Sequence, residues 1–111
     1  LSVIYTGSHD NNTTRGWWKE ASPELRRNVC RYLGFESNEE NIAANLTRLA
    51  WMSSSSLAIT PLQDLLNLEG NCRMNLPGTI SGNWIWRCTA GQLDALNPNL
   101  LREWNEISGR A

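Results

Sequence analysis

Apolar and polar residues follow two different spacings along this chain, and these spacings divide it into strands and helices. Val3, Ile4 and Tyr5 form a short β-branched and aromatic run of the kind that fills a buried strand. Residues 57–60 are a second short apolar run, and Pro61 stops it, which favours a strand over a helix. The pattern therefore predicts two buried strands.

A helix over residues 23–33 is the clearest element between the two predicted strands. Ser22 supplies an N-cap oxygen, the proline at the first helical position has no N–H to leave unpaired, and Gly34 supplies a left-handed stop. A brief helical turn that carries two tryptophans precedes this helix, with Thr13 or Thr14 as its cap.

A second helix is predicted to begin at Asn38 and to end in the serine run of residues 53–56. Apolar residues recur at helical spacing along one of its faces: Ile42, Leu46, Leu49 and Ala50. A strand, helices and then a strand are the crossover pattern of a parallel sheet. The sequence therefore predicts an α/β fold.

Loops follow the second predicted strand. Residues 61–66 indicate a single helical turn, and residues 71–82 form a long loop. In that loop Pro77 and Gly78 suit a turn whose second central residue has a positive φ. A loop of this length beyond a strand end is more often functional than idle.

The chain is predicted to end in two helices. Residues 83–87 alternate polar residues with tryptophan, which indicates a short extended piece. Thr89 and Gln92 form a capping-box pattern, and Asn97 with the proline after it starts a last amphipathic helix that Gly109 closes. The apolar face of that helix carries Leu100, Leu101, Trp104 and Ile107.

Composition narrows the class of protein. The chain has 111 residues, 41% of them hydrophobic, and a net charge of -1, which gives no electrostatic footprint for nucleic acid or an anionic membrane. No apolar run has membrane-spanning length and no signal-peptide pattern is present, which favours a soluble intracellular protein. Leu1 has no methionine before it and a strand begins almost at once, as in a piece of a larger chain.

Three cysteines and six tryptophans stand out in the composition. Cys30, Cys72 and Cys88 are odd in number, far apart and without a CxxC pair, so we expect free thiols rather than disulfides or a zinc site. We expect most of the tryptophans to pack in the core, with one or two facing a ligand.

His9 and Asp10 lie just beyond the first predicted strand, at the edge where α/β folds display ligand-binding side chains. Taken alone, the pair favours a simple turn in which Asp10 caps the next helix and His9 bonds a backbone carbonyl. His9 is the only histidine, so this chain cannot build a phosphohydrolase metal site, which needs further histidines. Nucleophilic serine chemistry is also disfavoured, because no GxSxG motif is present.

Three longer segments carry more information than this pair: YTGSHDNNTTRGWW at residues 5–18, LAITPLQDLLNL at residues 57–68 and RMNLPGTISGNWIWR at residues 73–87. In this order they resemble the 4-α-glucanotransferases, also called amylomaltases or disproportionating enzymes. The resemblance implies a (β/α)8 TIM barrel of the α-amylase type. It also implies retaining chemistry that transfers α-1,4-glucan segments between maltooligosaccharides, with no cofactor and no metal. Residues 1–111 resemble the C-terminal quarter of the barrel: its last two βα units, incomplete as this chain, with no separate domains.

The resemblance also implies a role for individual residues. Asp10 corresponds to the family's third catalytic carboxylate, which accepts hydrogen bonds from ring hydroxyls of the transferred glucose. His9 would bind the same sugar as a neutral donor, and Asn75 would be a further substrate contact. Ser8 stands where the family usually has threonine, and it keeps the hydroxyl. Trp84 and the nearby Trp86 offer apolar faces for glucan rings, although packing is their expected role.

The other two acids of a retaining transferase are not expected in this chain. A nucleophile and a proton donor about 5 Å apart are needed, and the family carries both on earlier strands. The acidic residues that belong to predicted helix turns do not replace them: Glu20, Glu24, Glu39 and Glu40. We therefore expect an inactive chain that needs the N-terminal remainder of the enzyme as its partner.

Two strands cut from a barrel would leave unpaired edges, so we expect the isolated chain to be weakly stable or to form oligomers. The resemblance implies a cytoplasmic protein, or a plastid protein if the source is a plant or alga. Two other hypotheses stay open: a noncatalytic glucan-binding or assembly module, and a small stand-alone α/β domain without a sugar role.

Overall fold

The computed structural model describes residues 2–110, and its elements confirm the predicted α/β class. In chain order they are β1 (Val3–Tyr5), α1 (Thr14–Glu20), α2 (Pro23–Leu33), α3 (Ile42–Trp51), β2 (Leu57–Ile59), α4 (Leu62–Leu65), a 3-10 turn (Gly70–Cys72), α5 (Ala90–Asp94) and α6 (Pro98–Ser108). No helix within the described residues is long and apolar enough to cross a membrane.

β1 and β2 pair in parallel, as the crossover pattern predicts. Val3 lies beside Leu57 and Tyr5 beside Ile59, so the strands run in step over their whole length. Because parallel strands end at the same edge of a sheet, the segments that follow β1 and β2 start side by side. This edge carries the site described below.

The prediction that both strands are buried is wrong for one face of the sheet. Val3, Tyr5, Leu57 and Ile59 are 53%, 56%, 52% and 48% exposed. Alternate side chains of a strand point to opposite faces, so these four apolar residues share one face. We call them the bare face, because none of the described helices covers it.

α3 covers the other face and supplies the centre of the core. Ile42 and Thr47 are fully buried there, and the Trp18 and Trp104 side chains of α1 and α6 join them. The predicted apolar stripe is partly wrong, since Leu49 at its edge is 39% exposed. The buried side of α3 includes Thr47 instead. The Thr47 hydroxyl lies 3.3 Å from the hydroxyl of Thr60, the residue after β2.

α2 is confirmed with the predicted ends. The Ser22 hydroxyl accepts a hydrogen bond from the Leu25 N–H at 3.1 Å, and Gly34 closes the helix with a φ of 88°. The short α1 begins as predicted, with the Thr13 hydroxyl accepting from the Gly16 N–H at 3.1 Å.

The predicted start of α3 at Asn38 is wrong by one turn. The Asn38 side-chain oxygen accepts from the N–H groups of Glu40 and Asn41 at 2.9 and 3.1 Å, which forms a turn before the helix. Asparagine side chains compete with helices for backbone donors in this way. The helix therefore begins at Ile42.

The C-terminal helices agree with the capping patterns. Thr89 and Gln92 make both bonds of the capping box, and Asn97 caps α6, which Gly109 ends with a φ of 73°. The extended piece predicted for residues 83–87 is wrong, because Trp84 has a φ of 61° and no strand pairing forms there. The three cysteines are free thiols, as predicted.

Candidate functional site

Two loops meet at the edge where both strands end. The first loop (residues 6–13) joins β1 to α1, and the second loop (residues 73–85) follows the 3-10 turn. The Asn75 N–H donates to the His9 carbonyl at 3.2 Å, which ties the backbones of the two loops together. Every site residue predicted from the sequence lies on one of these loops.

The side chain of Asp10 is held by the second loop but remains open to solvent. The Asn75 side-chain amide donates to Oδ1 of Asp10 at 2.7 Å, and Nε2 of His9 lies 3.3 Å from Oδ2. The Asp10 side chain is still 52% exposed. The structure thus brings Asp10, His9 and Asn75 together, and a carboxylate with free acceptor capacity faces outward.

The simple-turn interpretation of the His-Asp pair is right about the turn, in which the Asn11 N–H donates to the Ser8 carbonyl at 3.1 Å, but wrong about Asp10 as a helix cap. The cap of α1 is Thr13, whose hydroxyl accepts from the Gly16 N–H, so Asp10 does not cap this helix. The carboxylate of Asp10 is directed instead at an amide 65 residues further along the chain. A local role does not explain that contact.

His9 rests against an aromatic side chain of the second loop. The His9 and Trp84 rings have centroids 5.0 Å apart and planes inclined by 39°. The left-handed backbone of Trp84 is supported by a 2.6 Å hydrogen bond from its N–H to the carbonyl of Met74. Trp84 is therefore both a packing residue and an aromatic surface at the site, since half of it remains exposed.

Arg73 is a site residue that the sequence analysis missed. Its guanidinium donates to the main-chain carbonyls of Asp10 and Asn75, both at 2.9 Å. It therefore fixes the backbones that carry the bonded pair. Arg73 stands two positions before Asn75 in one of the three segments, but a basic residue that bonds main-chain carbonyls leaves no local sequence pattern.

The second loop presents apolar side chains to solvent around a rigid turn. Gly78 has a φ of 86° and the Thr79 N–H donates to the Leu76 carbonyl at 3.2 Å, which confirms the predicted Pro-Gly turn. Ile80 is fully exposed at the tip of this loop. An exposed apolar tip beside a polar site is typical of loops that contact a ligand or a neighbouring segment.

A cleft of about 230 Å³ lies beside the site, between the first loop, the end of β2 and Met74. Its volume is below the range of about 300–1,000 Å³ that is usual for ligand pockets. Among residues 2–110 no three side chains of the metal-binding kinds are grouped to hold an ion. The site can form hydrogen bonds through the Asp10 carboxylate, the His9 imidazole and the Asn75 amide.

Fold and site together define an α/β protein with a cluster of polar side chains, a candidate ligand site, at the carboxyl edge of a parallel sheet. Residues 1–94 match the family model of glycoside hydrolase family 77, described as 4-α-glucanotransferase. The chain belongs to this 4-α-glucanotransferase family, which confirms the resemblance of the three segments.

Curated relatives named 4-α-glucanotransferase match most of this chain. The 4-α-glucanotransferase of Synechocystis is 49% identical over 98% of this chain and 21% of its own length. The Thermus thermophilus enzyme is 40% identical over 97% of this chain and 22% of its own. The chain thus spans about a fifth of these relatives. A potato relative, named as chloroplastic/amyloplastic, is 47% identical over 77% of the chain and 15% of its own length.

The fold also has a solved counterpart. It is similar to the amylomaltase from Streptococcus agalactiae in complex with acarbose, with a TM-score of 0.88 and 31% identity. The match covers 97% of this chain and 22% of that one.

Proposed function

We propose that this chain is the part of a 4-α-glucanotransferase that grips the glucosyl ring during its transfer between maltooligosaccharides, with Asp10 as the catalytic carboxylate. His9 and Asn75 are the accompanying substrate-binding residues. The family membership and the meeting of these three side chains at one sheet edge support this assignment. The acarbose complex of the Streptococcus agalactiae relative, a protein of the same fold, agrees with an oligosaccharide ligand.

The hydrogen bond from Asn75 to Asp10 is the observation that carries the proposal. At 2.7 Å it fixes one carboxylate oxygen, while the half-exposed side chain keeps acceptor capacity for hydroxyl groups. An acceptor already held in place needs no reorganisation when charge develops on the sugar. Hydroxyls of a ring that flattens toward an oxocarbenium ion donate more strongly, so Asp10 binds the transition state better than the substrate.

His9 and Trp84 support the same sugar from one side. The imidazole lies between the indole ring and the Asp10 carboxylate, which limits its rotation. Because Nε2 of His9 faces the Asp10 carboxylate, Nδ1 is the ring nitrogen left to hydrogen-bond a sugar hydroxyl. The half-exposed indole beside it offers an apolar face of the kind that sugar rings contact.

The rest of the site belongs to the N-terminal remainder of the enzyme. We assign residues 1–111 to the last two βα units of a (β/α)8 barrel, whose other strands would cover the bare face. A retaining double displacement needs a nucleophile and an acid/base about 5 Å apart, and the remainder would supply both. The proposal needs no cofactor, and places the enzyme in the cytoplasm or, in plants and algae, in plastids.

The test uses the complete polypeptide that carries this chain, with maltotriose as substrate and longer and shorter glucans as the product readout. Asp10→Asn is expected to lower kcat by roughly 10²- to 10⁴-fold with a much smaller change in KM, because the lost bonds strengthen only in the transition state. Asp94→Asn, at an exposed aspartate of α5, is the matched control and should leave both constants unchanged.

Two results would contradict the proposal. An Asp10→Asn enzyme that loses substrate affinity but keeps kcat would show that Asp10 binds substrate and transition state equally. The noncatalytic binding module would be favoured instead if the 111-residue chain bound maltooligosaccharides saturably and the complete polypeptide formed no product.

A further inference from the structure

Asp64 is a buried carboxylate that the proposed chemistry does not use. It lies on α4, directly after β2, and is only 4% exposed. Oδ1 accepts the Thr14 N–H at 2.8 Å, and Oδ2 accepts the Thr14 hydroxyl at 2.7 Å and the Thr6 hydroxyl at 2.8 Å. Both oxygens are thus occupied by donors of the protein itself.

The three donors belong to the two ends of the first loop. Thr6 is the first residue after β1, and Thr14 is the first residue of α1. One carboxylate therefore closes the segment that carries His9 and Asp10. Burying a charge is costly unless donors surround it, so the bonds to Asp64 fix the separation of the loop ends within narrow limits.

The same helical turn also reaches the second loop. Gln63, beside Asp64 and also buried, donates its side-chain amide to the Cys72 carbonyl at 3.2 Å. Cys72 immediately precedes Arg73, which bonds the carbonyls of Asp10 and Asn75. α4 thus holds the bases of both loops, and the Asn75–Asp10 bond joins them at their exposed ends.

We propose that Asp64 is a positioning residue of the glucan site, which sets where the first loop places Asp10 and His9 relative to Asn75. This inference rests on the proposed function for its kinetic consequence, but its structural consequence is independent of it. Misplacing a reacting group by about 1 Å costs roughly 10²-fold in rate, so a residue that only holds a loop can have a large kinetic effect.

The experiment compares two substitutions of similar burial in the complete polypeptide. Asp64→Asn keeps the shape of the side chain and removes its charge. Ala50→Gly is the control: Ala50 of α3 is as buried as Asp64, and its methyl group takes no part in the hydrogen bonds that hold the first loop. Hydrogen exchange read by mass spectrometry, melting temperature and maltotriose transfer are measured for both variants well below their melting temperatures.

We expect Asp64→Asn to speed exchange of the peptide covering residues 6–14 by about 10-fold or more, while Ala50→Gly leaves that peptide unchanged. We expect Asp64→Asn to lower kcat roughly 10- to 100-fold, against less than about twofold for Ala50→Gly. In an Asp10→Asn background, Asp64→Asn should cost less than about twofold in kcat, because it acts through Asp10.

Unchanged exchange of residues 6–14, or an equal loss of kcat in both variants at equal melting temperature, would overturn the inference. So would a fully multiplicative effect with Asp10→Asn. If Asp64→Asn does not fold, Thr6→Val removes a single donor, and the same two readouts should move in the same direction by smaller factors. A wild-type polypeptide without transferase activity would refute the proposed function, whereas the exchange result would still decide whether Asp64 holds the loop.

Discussion

The two faces of the β1–β2 sheet differ completely in what this chain provides for them. On one face α3 packs closely, and Ile42 and Thr47 have no exposed surface. On the bare face Leu57 and Ile59 have about half of their surface in water. One face of the two strands is therefore covered by the chain itself, and the other face is exposed to solvent.

This difference separates a face that stabilises the chain from a face that is open to contact. The helix side holds the buried core, and the buried Asp64 of α4 bonds Thr6 and Thr14 at the two ends of the first loop. Large apolar side chains grouped on an exposed face are typical of contact surfaces. In the proposed barrel, inward-pointing side chains of the other strands would fill the space over this face.

Equivalent truncations on the two faces test the comparison most strongly. Ile42→Ala leaves a cavity in the core and should lower the free energy of unfolding of the 111-residue chain by about 2–5 kcal/mol. Ile59→Ala, on the bare face, should cost about 1 kcal/mol or less, because half of that side chain is already in water. Urea unfolding followed by tryptophan fluorescence measures both, and equal costs would remove the distinction between the faces.

A second test concerns the packing at the edge where the loops leave the sheet. The Asn12 side chain lies between Gly16 and Gly70, and a methyl group on Gly70 would come 2.7 Å from its Oδ1. Gly70→Ala should therefore lower the free energy of unfolding by about 1–3 kcal/mol.

Gly91→Ala is the matched control for Gly70→Ala. Gly91 lies in α5, and the nearest atom to its added methyl group would be 4.0 Å away, so alanine should stabilise that helix by about 0.5–1 kcal/mol. A Gly70→Ala chain as stable as the wild type would show that the Asn12 side chain is not confined at this edge.

The third and smallest expected effect concerns association through the bare face. Leu57→Lys places a charge among the four exposed apolar residues, and we expect it to weaken self-association of the 111-residue chain by about 10-fold, since burying a charge in such a contact is unfavourable. Sedimentation velocity at several concentrations measures this. Arg102→Glu, at an exposed position of α6, should not change the association, and a similar shift in that variant would point to a net-charge effect.

The fold was predictable where the signals are local. The cap at Ser22, the stop at Gly34 and the parallel pairing of β1 with β2 all agree with the sequence patterns. The bare face was not predictable, because three apolar residues in succession look the same whether one face or both are covered. The start of α3 was missed because the Asn38 side chain makes a turn that resembles a helix cap in sequence.

The site was predictable only in part, for a similar reason. Asp10, His9 and Asn75 come from segments that resemble a known family, and the structure places them together. Arg73 bonds Asp10, 63 positions away, and Asp64 bonds Thr14, 50 positions away, and no spacing rule links such partners. The sequence offers Trp84 as an apolar face for glucan rings but favours packing, and its contact with His9 depends on a left-handed backbone that leaves no sequence signal.

A crystal structure of the complete polypeptide with a sulfur-linked maltooligosaccharide, which resists cleavage, tests the central claim most directly. We expect ring hydroxyls of one glucosyl unit about 2.5–3.0 Å from the Asp10 carboxylate, with the Asn75 amide still bonded to its other oxygen. A glucan bound with Asp10 contacting only water and Asn75 would contradict the claim.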